Sequence, residues 1–238
     1  MKKLLKSIFL LISTLCVFAS AAQSTEIKHH INVGAGLGWA YGRFNFNTTE
    51  VQVPPPNLLK NFDLGKNSLA GDLSLGYQLR WHNVMAGLEV DYLFMGMKRT
   101  GTPEGTDNNV VSKTAKILSN GAFGAAAKVG YYLNETFLGY VGAGIESRTI
   151  KFNFTIQGDS DNSVSSKHSQ IAFAGRIGFD YMVNQYVTLG AEYRKAFYNG
   201  TTKTNGTTTV RFKPETLDTI LLNVRFKFNL PNIRSMKN

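Results

Sequence analysis

The residues of this 238-residue chain best suited to chemistry are ionisable and regularly placed. Asp72, Glu89, Asp91, Glu146, Asp180 and Glu192 are acidic; Lys128, Arg148, Arg176, Arg194, Arg225 and Lys227 are basic. The two sets are equal in number. Each residue stands in a stretch where every second position is apolar, so all of them fall on the polar side of an alternating pattern. Carboxylates and cations held together away from water can line an ion path or form a site with shifted acidity. They can also simply close a space as mutual ion pairs, because an unpaired charge there is costly. Arginine suits such pairs, since its fork meets a carboxylate through two bonds. A second candidate set is Lys195, Lys203, Arg211 and Lys213, in and beside the polar segment 198–215, with only Glu215 against them. A basic surface of this kind attracts lipopolysaccharide, host glycans or nucleic acid, or is merely solvated.

Other chemistries find little support. Cys16 is the only cysteine and lies in the leader described below, so the mature chain has no disulfide or thiolate. A hydrolase needs a nucleophile, a histidine and an acid within reach of one another. The histidines are His29, His30, His82 and His168, and only His168, beside Ser169, lies near a loop–strand junction. No enzyme is expected. His29 and His30 form a weak metal signal and are expected in a flexible terminus. Gly34, Gly36 and Gly38 resemble a nucleotide loop only in composition, because that loop needs a strand before it and a helix after it. No cofactor or metal is expected.

The elements that carry these residues follow from the same alternation. Segments of period two run over 31–44, 68–79, 84–95, 118–132, 137–152, 170–181, 187–197 and 217–228. In the first, Ile31, Val33, Leu37, Trp39 and Tyr41 share one face, and Gly34, Gly36, Gly38 and Ala40 share the other. A large apolar face set against a small or charged one suits a narrow membrane barrel, where the outside meets lipid and the inside is short of room. Connections alternate in length. Long polar ones near 45–67, 98–115, 153–168 and 198–215 are separated by three short turns near 80–83, 133–136 and 182–186. Pro54-Pro55-Pro56 makes the first long loop a stiff spacer. Outer-membrane barrels place short turns in the periplasm and long loops outside. Outward aromatics fall at both ends of the segments: Tyr77, Tyr131, Phe137, Tyr181 and Phe228 at one, Trp39, Tyr41, Phe94 and Tyr193 at the other.

The start of the chain fits export. Lys2, Lys3 and Lys6 precede an apolar run over 10–18 and the small residues Ala19-Ser20-Ala21-Ala22, the pattern of a cleaved signal peptide. The formal charge of +10 loses those three lysines on cleavage, and the mature chain remains basic. The expected organisation is a signal peptide at 1–22, one barrel domain at 23–228 and a periplasmic tail at 229–238. The expected fold is all-β: an eight-stranded antiparallel up-and-down transmembrane β-barrel.

The stretches GLEVDYLF at 87–94, YVGAGIESRTIKF at 140–152 and GRIGFDYMVNQYVTLGAEYRKAF at 175–197 resemble the opacity-protein and OmpA-like family of small outer-membrane barrels. The resemblance covers essentially the whole mature chain at the level of pattern. It implies a surface barrel with a structural or adhesive role carried by its extracellular loops, or a small low-conductance pore with a charged lumen. The two differ in whether the inner charges plug the barrel or line a path, and a plug is preferred because side chains can fill eight strands. The chain carries no following peptidoglycan-binding domain, so cell-wall anchoring is not implied. Family members end on an aromatic residue, whereas here residues 229–238 follow Phe228. The expected partners are outer-membrane lipids and lipopolysaccharide, the barrel-assembly machinery and host surface molecules. Nucleic acid is not expected, and the chain is expected to be a monomer in the bacterial outer membrane.

Overall fold

The structure is a computed structural model and describes residues 27–50, 58–101, 113–156, 164–205, 208–212 and 215–230. The signal segment 1–22, the three prolines and the tail beyond Leu230 lie outside the described residues. Eight strands form the wall: β1 (Lys28–Glu50), β2 (Leu58–Trp81), β3 (Val84–Gly101), β4 (Lys113–Tyr132), β5 (Phe137–Ile156), β6 (Val164–Met182), β7 (Val187–Tyr198) and β10 (Glu215–Leu230). Each pairs antiparallel with its neighbour in sequence. β10 then pairs antiparallel with β1 from Thr216↔Arg43 to Leu230↔His29, which closes the barrel. Closure leaves the wall without an open edge, as a membrane requires of a sheet.

A short hairpin, β8 (Thr201–Asn205) and β9 (Thr208–Phe212), lies within the last long connection. β9 pairs with β1 from Phe46↔Phe212 to Glu50↔Thr208. It therefore takes over the edge of β1 just beyond Arg43, where β10 stops. The polar, threonine-rich strands β8 and β9 thus continue the wall outside the membrane. The other strands also run past the segments read from alternation. Residues 45–50, 58–67, 98–101, 113–115, 153–156 and 164–168, expected in loops, are strand. The ladder of backbone hydrogen bonds continues in water, whereas the lipid-facing apolar positions that reveal it end with the membrane. β10 likewise continues through Asn229 and Leu230, which pair with His30 and His29.

The turns at the other end are tight, and side chains build them. Asn134 Oδ1 accepts hydrogen bonds from the backbone N–H of Thr136 at 2.9 Å and of Phe137 at 2.7 Å. Asn184 Oδ1 repeats the device, with Tyr186 and Val187 N–H both at 2.8 Å. In both turns the amide stands in for a backbone carbonyl. His82 occupies the left-handed region with φ 52°, in the shortest of the three turns at this end.

Burial is inverted relative to a water-soluble fold. Leu37, Leu69 and Ile171 are 69%, 67% and 67% exposed, whereas Arg194 and Glu146 are 1% exposed. The aromatics expected in belts, among them Trp39, Phe94, Tyr131, Tyr181 and Phe228, are outward. Such an apolar outer surface is stable only against lipid.

Candidate functional site

The inner wall from β2 round to β10 carries a connected set of charges midway along the lumen. Lys128 Nζ lies 2.6 Å from Glu89 Oε1 and 2.7 Å from Glu192 Oε2. Arg176 donates to Glu89 Oε1 at 3.1 Å and to Asp91 Oδ1 at 2.5 Å. Arg194 donates to the other oxygen of Asp91 at 2.6 Å and to Glu192 Oε1 at 3.3 Å. It also stands 3.6 Å from both Asp72 Oδ1 and Glu146 Oε2. Arg225 pairs with Asp180 and lies 3.7 Å from Glu192 Oε2. The Tyr140 hydroxyl donates to Glu192 Oε2 at 2.9 Å. Every one of these side chains is buried. Each cation faces two or more carboxylates, and Glu192 faces four cations, so charge alternates through the cluster.

The small inner residues make this possible. A Cβ on Gly124 would lie 2.8 Å from Asp91 Oδ1 and 2.9 Å from Arg176 Nη2, and one on Gly190 would overlap the Asp180 carboxylate beside Arg225. The room those glycines leave is filled by long side chains reaching across from other strands. β1 supplies none of these charges; at this height its inner face is Gly34, Gly36 and Gly38, against β2 and β10.

Nearer the extracellular end, Arg148 pairs with Glu215, takes Gln170 Oε1 at 3.1 Å, and stacks over the Tyr198 ring at 3.6 Å. The Tyr198 hydroxyl donates to Glu146. Around this group lies an apolar layer that includes Leu93, Met95, Met97, Ile150, Leu217 and Leu221. Glu215, Gln170, Tyr140 and Tyr198 were not singled out from sequence, and neither was this layer. The signal was parity: Glu215 shares the inner parity of Arg225 on β10, and Tyr198 that of Arg194 on β7. In the sequence Glu215 stands as the one acid beside the basic loop; in the fold it faces Arg148 inside the barrel.

Other expected site residues fall elsewhere. Lys227 is inward and buried, yet it makes no ion pair among the described residues; its Nζ lies 3.4 Å from Met182 Sδ. Its neighbour Arg225 holds Asp180, the acid it would otherwise share. Lys195 sits in β7 on the outer face, 2.9 Å from Asp218 Oδ1, so its charge is already engaged. Lys203 pairs with Val210 and Arg211 with Thr202 in the β8–β9 ladder. Lys213 lies outside the described residues. His29 and His30, expected in a flexible terminus, belong to β1: His29 Nδ1 is 2.6 Å from the Tyr77 hydroxyl, and His30 Nδ1 donates to Asn229 Oδ1 at 2.7 Å. Ser169 faces Thr149, with their hydroxyl oxygens 3.3 Å apart.

A sequence comparison with curated proteins finds no match. Among solved structures the chain is similar to Ail, the attachment invasion locus protein of Yersinia pestis, at 16% identity, covering 83% of this chain and 99% of that one, with a TM-score of 0.42. It is similar to Neisserial surface protein A at 16% identity, 84% and 97% coverage and a TM-score of 0.45. It is also similar to OprG of Pseudomonas aeruginosa at 17% identity, 84% and 96% coverage and a TM-score of 0.47. The family model for an outer membrane protein beta-barrel domain matches residues 7–228. With a closed antiparallel wall, an apolar outer surface and a charged, filled interior, the chain belongs to that family and is a protein of the bacterial outer membrane.

Proposed function

We propose that this protein is a closed surface barrel with a structural or adhesive role, whose contacts are made by its extracellular ends. The observation that carries this reading is the filled lumen: interlocked buried ion pairs at mid-height, with an apolar layer on the extracellular side. A side chain holding several opposite charges cannot leave without stranding its partners, so the interior serves as a rigid core. No catalysis is assigned, since the inner carboxylates are committed to arginine, lysine or tyrosine. The extracellular strand ends and the β8–β9 hairpin, with Lys203, Arg211 and Lys213 in and beside it, then offer the surface for host molecules or lipopolysaccharide.

Replacing the hairpin 201–212 by a short Gly-Ser linker removes residues outside the closed part of the wall. Bacteria displaying this variant should fold the barrel, as heat-modifiable migration reports, and lose adhesion to host cells or matrix. Adhesion at the original level would count against the reading. The pore alternative is tested in the same preparation. Purified protein in planar bilayers should be silent, and discrete conductance altered by Arg176→Gln would replace this proposal with a charged pore.

A further inference from the structure

The periplasmic mouth has the opposite electrostatic character from the lumen above it. At mid-height, four cations are paired among six carboxylates. At the mouth, a cavity of about 790 Å³ is lined by Lys28, His30, Arg80, His82 and Lys227, with Glu135 the one acid among its described lining residues. Lys28 and Arg80 are register partners on adjacent strands, so two cations face each other directly across the ladder. Such like-charge pairs are unfavourable by themselves. Arg80 is held in place rather than neutralised: its guanidinium stacks 3.9 Å over the Tyr132 ring and donates to the His82 carbonyl at 3.0 Å. Lys227 is 8% exposed, and its ammonium has only the Met182 sulfur as a partner. No ion pair engages Lys28, Arg80 or Lys227 among the described residues.

Neutral donors stand beside these cations without partners. Asn32 is the register partner of Lys227, and its Nδ2 is buried and makes no hydrogen bond. The Tyr132 hydroxyl under Arg80 is in the same condition. A buried ammonium and buried polar groups left unsatisfied are costly, and each calls for a partner.

We infer that the periplasmic mouth is a binding site for a phosphate-bearing anion. Three cations from three adjacent strands, β2, β1 and β10, converge on one cavity. A tetrahedral dianion offers oxygens in several directions to a guanidinium and two ammoniums, whereas a single carboxylate satisfies only one fork. The cavity exceeds a bare phosphate, so it fits a phosphate ester or a diphosphate. Two sources share this chemistry: a soluble periplasmic phosphate compound, and the headgroup of an anionic phospholipid in the inner leaflet.

The test uses the mature chain refolded in zwitterionic detergent and titrated calorimetrically with inorganic pyrophosphate. Wild type should bind, and the affinity should fall as salt rises. Lys28→Gln, Arg80→Gln and Lys227→Met should each weaken binding about tenfold, the loss of one charged hydrogen bond. Lys28 is exposed at a strand end, so its variant folds whatever happens to the others. Lys227→Met carries a second signature: with an unpaired buried charge removed, it should unfold at higher urea than wild type while losing the stabilisation that pyrophosphate gives. Repeating the titration in nanodiscs with and without phosphatidylglycerol separates the sources; displacement of pyrophosphate by the lipid assigns the site to a headgroup, and no displacement assigns it to a soluble phosphate. The inference is overturned if wild type binds no pyrophosphate, or if the three variants bind it as wild type does.

Discussion

Arg194 is the most informative residue to perturb, because its partners differ in what they would have left. Its guanidinium touches Asp91 at 2.6 Å, Glu192 at 3.3 Å, and Asp72 and Glu146 at 3.6 Å each. In an Arg194→Met variant, Asp91 keeps Arg176 at 2.5 Å and Glu192 keeps Lys128 at 2.7 Å. Asp72 has no other ion pair among the described residues, and Glu146 keeps only the Tyr198 hydroxyl. Methionine nearly preserves the packing volume, so the dominant loss is electrostatic. Breaking a buried pair by removing one partner costs about 3–5 kcal/mol, and here the stranded carboxylate at Asp72 places the variant in that range. Adding Asp72→Asn removes the stranded charge, so the double variant should recover part of the loss rather than add to it. The assay is equilibrium urea unfolding in lipid vesicles, followed by tryptophan fluorescence and by heat-modifiable migration. A single variant within about 1 kcal/mol of wild type would refute the reasoning, since a fully solvated lumen would show only that. A double variant additive with the two single ones would refute it as well.

Three further predictions follow from other parts of the wall. Gly124→Leu drives a side chain into the Asp91–Arg176 pair and should destabilise by about 1–3 kcal/mol in the same assay, whereas Gly96→Ala, with open space at its Cβ, should be close to neutral. Leu222→Arg puts a charge on the lipid face at a position 64% exposed, and should cost about 2–4 kcal/mol of folding into bilayers if it lies near the midplane. Lys195→Met removes a surface pair with Asp218, and its unfolding midpoint should move by less than about 1 kcal/mol of stability.

The wall was legible in the sequence because lipid imposes a strict rule on it. Every second residue from Leu69 to Leu79 or from Ile171 to Tyr181 had to suit hydrocarbon or its interface, and that rule survives in the letters. The rule stops at the membrane surface. Residues 45–50 and 153–156 lie in strands beyond it, where Asn, Thr and Phe carry no regular apolar alternation to read. The lumen was half legible. Charged residues at inner parity announced themselves, but tyrosines did not, because Tyr140 and Tyr198 look like the outward aromatics Tyr131 and Tyr193 until their parity is counted. The exception to pairing, Lys227, was not legible at all. Equal numbers of acids and bases suggested complete matching, yet pairing is decided by height along the barrel axis, which composition does not record. Glu215, at the far end of the same strand, supplies the extra acid where Arg148 needs it.

Height along the axis also bears on whether the interior can conduct. A path needs mobile ions to replace fixed partners one at a time. Here Arg176 is shared by Glu89 and Asp91, Asp91 by Arg176 and Arg194, Arg194 by Asp72, Glu146 and Glu192, and Glu192 by Lys128 and Arg225. Swinging Arg176, Arg194, Asp91 or Glu192 aside leaves at least two opposite charges in a closed space, so the first step of opening already carries the cost of a broken buried pair. The next step is no cheaper, because the apolar layer around Leu93 and Leu217 still separates the cluster from the extracellular side. A sequence selected for flow would place such charges singly along the wall with water between them. Crowding them into one cluster, with glycines cleared to admit them, instead suits a core that holds a short barrel rigid.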